Sequence, residues 1–289
     1  MAGSPRGDGS GRALLGLVPF LAYTGTFLLV PAASVMLGAF RDERGAPTLA
    51  NLRTSMTGIY LTSFQRSLEL SALTALVGAV LGTLLAQAVL SSPRRRILGQ
   101  VVSSASGVFA NLGGVPLAFM FIGTVGSYGL LTRWLAHAGI DLYAHGFTLF
   151  SFTGIALVYV YFQVPLMVIV ITPALQGLRV QWAEAAVSLG ATRTQYWRYV
   201  AGPVLAPAFL GGLLLLFANA FAAYATAAAL TSGTVPLVPL QIGSLLSGNV
   251  LTGQENLGKA LGFDMIVVVG LVMAGYGLLQ RRTSRWLRR

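Results

Sequence analysis

The sequence predicts an all-α integral membrane protein with six transmembrane helices and both termini in the cytoplasm. Three observations carry that expectation: six apolar runs long enough to cross a bilayer, very few charges, and a positive surplus confined to one face. The chain has 289 residues, 55% of them hydrophobic and only 9% charged. Soluble domains carry about a quarter charged residues, so the medium around most of this chain is expected to be lipid. There are no cysteines, which excludes disulfides and thiolate sites.

A helix needs about 20 mostly apolar residues to span the hydrocarbon. The runs fall at 13–40, which contains Pro19 and Pro31, then at 64–90, 101–125, 147–175, 204–230 and 261–280. Period-two alternation is absent and the runs exceed a barrel strand, so helices must satisfy the backbone. The polar, Gly/Ser-rich segment 1–12 reads as a disordered cytoplasmic tail. The run after it is too long for a signal peptide and lacks a small-residue cleavage site, so it reads as a retained span. Residues 13–280 form the membrane domain, and 281–289 form a basic cytoplasmic tail.

Orientation follows from the arginines. With both termini on one side, that side holds Arg6, Arg12, Arg94, Arg95, Arg96, Arg179, Arg193, Arg198 and five arginines from 281 onward, against Asp8 and Glu184. The opposite side holds Arg41, Arg44, Arg53, Arg66, Arg133 and Lys259, balanced by six acids. The whole net charge of +11 therefore lies on the face with the termini, which the positive-inside rule makes cytoplasmic. The basic balance is an insertion signal and gives no reason to expect nucleic acid. Localisation is accordingly the cell membrane, plasma or bacterial inner, crossed several times.

Between the fourth and fifth runs lies a polar segment, about 176–203. Trp182, Ala186 and Leu189 recur at i, i+4 and i+7, one face of a helix. Gly190 is placed to end that helix in a left-handed conformation. Tyr196, Trp197 and Tyr199 alternate with Arg193 and Arg198, the residue types enriched at interface hot spots. Spacing alone fits equally a helix lying on lipid headgroups.

The run EAAVSLG, nine residues, then VAGP resembles the EAA signature of type I ABC importer permeases. Glu184, Ala185, Ala186, Gly190, Val200 and Pro203 match it, and Gly202 stands where the signature has Leu. The stretches GLLTRWLAHAGI, the apolar run with Gln163-Val164-Pro165, and TPALQGL look like the polyamine-type branch, which also contains ferric ion, phosphonate and thiamine permeases. The likeness covers about 60–280. It implies the six-helix type I permease fold and a coupling helix that uses Glu184, Ala185, Ala186, Leu189, Gly190 and Pro203. It also implies two copies of a cytoplasmic ABC ATPase, a second permease subunit (a heterodimer rather than a homodimer) and an external solute-binding protein, all beside membrane lipid.

The chain has no G-x-x-x-x-G-K-[ST] run, so nucleotide chemistry is expected on a partner and no cofactor or catalytic residue is assigned. Polar residues inside spans tend to face the bundle interior: Glu69, Gln87, Asn111, Gln163, Asn219, Tyr224 and Asp264. Each also fits a structural interhelical bond. Asn111, Asn219 and Tyr224 are the translocation-path candidates. Glu69 pairs with Arg66 by helical spacing, and Asp264 is expected to be solvated near a span end. His137, Asp141 and His145 recur every four residues, but Gly139 and Gly146 argue against a helix there, and no metal site is assigned. The alternative function is an ion-coupled transporter or channel working without an ATPase. The lack of a strong repeat, and of corresponding Gly/Pro breaks in the third and sixth spans, counts against it. A membrane-embedded enzyme is disfavoured because no acid–base set converges.

Overall fold

The computed structural model describes residues 9–144, 146–231, 233–247 and 254–286. Among them the chain is helical apart from connecting turns and one isolated bridge between Arg41 and Pro47. The helices are α1 (Gly9–Thr24), α2 (Val30–Ala39), α3 (Ala50–Ser55), α4 (Gly58–Ser91), α5 (Arg95–Asn111), α6 (Gly114–Val125), α7 (Leu130–His137), α8 (Phe152–Gln176), α9 (Val180–Ser188), α10 (Arg193–Tyr196), α11 (Gly202–Phe221), α12 (Ala225–Thr231), α13 (Val238–Leu246) and α14 (Glu255–Trp286). Among the described residues six stretches are long and apolar enough to cross a membrane: Leu17–Ala39, Gly58–Ser91, Gly114–His137, Phe152–Gln176, Arg193–Phe221 and Glu255–Leu278. The protein is a multi-pass membrane protein.

Two of the expected spans are broken. The run 101–125 divides into α5 and α6 at residues 112–113, and the run 204–230 divides into α11 and α12 at 222–224. The polar residues of α5 take it out of the apolar stretch, which instead runs from α6 to the end of α7. Helical backbone also reaches into both segments expected as tails, from Gly9 and up to Trp286; residues 1–8 and 287–289 lie outside the described residues. Two π turns occur, Gly25–Leu29 and Trp197–Ala201, with Pro31 and Pro203 close behind them. A proline has no N–H for the carbonyl four residues back and clashes with it, so the preceding turn widens.

The chain forms two compact units, residues 1–60 with 242–266, and residues 61–241 with 267–289. In the first, Asp42 closes a turn by accepting from the Arg44 and Ala46 amides at 2.9 and 2.8 Å. The Asn256 side chain donates to the Asp42 carbonyl at 2.9 Å, and Phe40 meets Phe263 edge-on. Asp264, expected to be solvated, is buried and accepts a 2.6 Å hydrogen bond from Ser55. The reason is local: α3 lays a buried hydroxyl against it, so the carboxyl exchanges water for a protein donor.

The second unit is built on α4, α8 and α11. Gly78 and Gly82 of α4 leave no room for a side chain against Gln163 and Met167 of α8, and Gly212 of α11 meets Met167 from the other side. Such small-residue contacts let helix backbones approach where lipid gives no hydrophobic drive. Gln163 is fully buried and donates to Thr74 at 2.7 Å, which identifies it as an interhelical tie. Tyr159, Phe162, Leu70, Leu117 and Leu230 lie in the core cluster. α5 packs along α8; Phe109 near its end meets Tyr161, while its first turns face Thr172 and Gln176. α5 therefore lies beside a membrane-spanning helix over most of its length. Tyr276 of α14 donates to the Pro207 carbonyl at 2.9 Å.

Candidate functional site

Two places gather the sequence-derived candidates. The first is the loop carrying α9. Its start is undramatic: Arg179 precedes the helix without a side-chain cap, and its guanidinium lies 5.9 Å over the Trp182 ring. Its end is tightly built. Gly190 takes φ +77°, donates to Val187 O, and is followed by Ala191 donating to Ala186 O, both at 2.9 Å. That pair of bonds is a Schellman closure, which satisfies the last helical carbonyls and needs a left-handed residue. No atom lies near the position a Gly190 Cβ would take, so conformation alone calls for glycine there. Two residues on, Thr192 and Gln195 form a reciprocal capping box that starts α10. The loop is thus held by hydrogen bonds from 186 to 196 without a gap.

What this frame presents is apolar. Leu189 is 87% exposed and Val187 71%. Of the predicted stripe, Ala186 is buried, while Trp182 and Leu189 flank an apolar groove of about 490 Å³ completed by Ala185, Tyr196 and Tyr199. Glu184 is exposed, and its carboxylate makes no ion pair or hydrogen bond among the described residues. Pro203 stands in the first turn of α11. The departure at Gly202 has a structural reason: in the π turn the Trp197 carbonyl would lie 2.7 Å from a Cβ at that position, too close for any side chain.

The second place is where the two broken helices meet. Asn111, Asn219 and Tyr224 all line one cavity of about 360 Å³, together with Gly113, Gly114 and Thr226. Asn111 is the last residue of α5, Asn219 lies in the last turn of α11, and Tyr224 sits in the second break, half exposed. Thr226 joins the breaks: its hydroxyl accepts from the Gly114 amide at 2.8 Å and lies 3.3 Å from the Gly114 carbonyl. Tyr159 donates to the Ala223 carbonyl at 3.1 Å. Gly114 has φ +72°, a left-handed turn that restarts the chain as α6. Lipid-exposed irregular backbone does not occur at membrane depth; it is tolerated where protein buries it or a watery cavity borders it. Here protein groups hold the breaks and a polar cavity borders them.

The remaining candidates are elsewhere. Arg66 and Glu69 form the expected pair at 3.1 Å. Gln87 bonds Ser91. His137 ends α7 with its Nδ1 at the Arg133 carbonyl, and Asp141 accepts from the Tyr143 amide in the following turn; His145 lies outside the described residues. Among the described residues no three metal-ligating side chains converge. The sequence reading missed Thr226 and Tyr159. A threonine inside AYATAAA has no local signal, because its partner lies 112 positions away.

No family model matches the chain. A probable sulfate transport system permease protein, cysT, from Nephroselmis olivacea is 26% identical over 71% of this chain and 69% of its own length. The sulfate transport system permease protein CysT of Salmonella typhimurium is 31% identical over 43% of this chain and 42% of its own. The molybdenum transport system permease protein ModB of Mycobacterium bovis is 29% identical over 57% and 58%. The chain thus spans about half the length of the latter two. Among solved structures, a chain of a bacterial ABC transporter involved in the import of the acidic polysaccharide alginate superposes with a TM-score of 0.73 at 18% identity, over 93% of this chain and 95% of that one. A chain of the MetNI methionine ABC transporter, inward facing, gives 0.54 at 16%, over 77% and 95%. The polyamine-type branch finds no support among these relatives. The all-helical, six-span architecture is that of ABC importer permeases.

Proposed function

We propose that the chain is the permease subunit of an ATP-driven importer, providing half of a path for a small polar solute. The observation that carries this reading is α9: a rigidly bracketed helix between two spans that exposes Leu189, Val187 and an unpaired Glu184 to water. Exposed apolar side chains framed by hydrogen-bonded turns are what a docking surface requires. On this reading α9 seats in a cytoplasmic ABC ATPase, two copies of which serve a pair of permease chains, a heterodimer by preference, below an external binding protein. Both termini are then cytoplasmic. ATP closure of the partner favours one of two bundle arrangements through its differential hold on α9.

The substrate we infer is a small oxyanion rather than a polyamine. Polyamines favour carboxylates; the described lining of the cavity offers the neutral donors Asn111, Asn219 and Tyr224 and no charge. The relatives named for sulfate and molybdenum point the same way. The test is purification in mild detergent followed by reconstitution. An ATPase and a second permease chain co-purify and sulfate uptake depends on ATP if the reading holds; an active chain isolated alone defeats it.

A further inference from the structure

α5 has three faces. Val102 and Ser106 turn towards the bundle and are half-buried or buried. Ile97, Val101 and Val108 form an exposed apolar face, each about 60% accessible. Between them Arg96, Gln100, Ser103, Ser104, Gly107 and Asn111 recur at helical spacing, a polar stripe about 22 Å long at 1.5 Å per residue. Gln100, Ser103 and Ser104 are exposed, and their side chains have no hydrogen-bond partner among the described residues. Serines in helices commonly bond back to the preceding turn, and in hydrocarbon an unpartnered polar group costs several kcal/mol. Yet this helix lies alongside α8. The stripe therefore faces water or another chain, not lipid.

Its two ends decide between these. At one end, Asn111 lines the cavity between the broken helices. At the other, Arg95, Arg96, Gln100 and Ser104 face Thr172 and Gln176 across a second cavity of about 430 Å³. No acid lines it among the described residues. We infer that the polar face of α5 is the floor of a water-filled conduit, leading from the neutral constriction at Asn111 to a cationic vestibule at Arg95 and Arg96 that receives a small anion. The inference rests on the permease reading, and extends it by naming the exit and its charge. Asn111, Ser104 and Gln100 offer neutral contacts along the way. The arginines raise the local anion concentration at the mouth, as clefts lined by one sign of charge do.

The absence of native cysteine makes the test direct. Single cysteines are placed at Gln100, Ser103 and Ser104, and at the apolar-face controls Val101 and Val108, in the assembled complex in inside-out membrane vesicles. Reaction with methanethiosulfonate ethylsulfonate, an anion, is compared with its trimethylammonium counterpart. Stripe positions react at least about tenfold faster than the controls and prefer the anionic reagent, and Arg95→Gln with Arg96→Gln removes the preference. Stripe positions no faster than Val101 and Val108 overturn the conduit, as does their protection by a cross-linked second chain. Fast labelling without charge preference overturns the anionic vestibule. ATPase co-purification from the same vesicles reads the permease assignment separately, so either idea fails without the other.

Discussion

The α9 loop and the cavity between the broken helices are opposites. The loop puts Leu189 and Val187 where the flanking sequence is charged and wet. The cavity puts Asn111, Asn219, Tyr224 and bare backbone where the flanking sequence is greasy. Each is a mismatch with its surrounding medium, and each is held in place by hydrogen bonds rather than by burial. On the proposed reading the difference lies in what resolves the mismatch: a partner's surface covers apolar side chains in water, whereas water covers polar groups at membrane depth.

Four substitutions break or sharpen that contrast. Glu184→Arg has the largest expected effect: ATPase co-purification and ATP-dependent uptake are lost, while the amount of inserted chain is unchanged on immunoblots of membranes. Wild-type ATPase recovery with this variant removes the coupling role. Thr226→Val comes next, since it removes the hydroxyl that accepts from the Gly114 amide. Unsatisfied buried groups cost about 1–3 kcal/mol each, so thermal unfolding in detergent shifts down and Thr226→Ser restores it. Gly190→Ala forces a Cβ into a left-handed residue, costing roughly 1–2 kcal/mol. It weakens uptake and ATPase recovery partially, and leaves melting of the transmembrane bundle unchanged. Gln163→Met is the mildest. The Gln163 Oε1 atom is buried without a partner, and Thr74 keeps its bond to the Leu70 carbonyl, so stability changes by less than about 1 kcal/mol. A larger loss would mean that the Gln163–Thr74 bond holds α4 to α8 more strongly than an ordinary buried hydrogen bond.

The long spans were legible because apolar runs of that length have few alternatives in any solvent. The loop was legible because its determinants are local: Gly190, Ala191, Thr192 and Gln195 act within ten residues of Ala186. Asn111, Asn219 and Tyr224, the residues proposed for the path, line one cavity. What joins them was not readable. The bond from Thr226 to Gly114 connects distant segments, and nothing near either residue specifies the other. Asp264 shows the same limit: its position near a span end suggested water, and Ser55, 209 residues earlier, supplied the donor instead. The run 101–125 reads as one span although it contains Gly113, Gly114 and Pro116, and the meeting of its break at 112–113 with the one at 222–224 depends on tertiary packing.

The π turn at Trp197–Ala201 has a reach beyond its own residues. A π turn holds roughly one residue more than an α turn, and one residue is about 100° of rotation around the axis. Every side chain of α11 downstream inherits that angle. The azimuth at which Asn219 meets the cavity is therefore set about five turns away, beside the loop, by a proline, a glycine and one carbonyl.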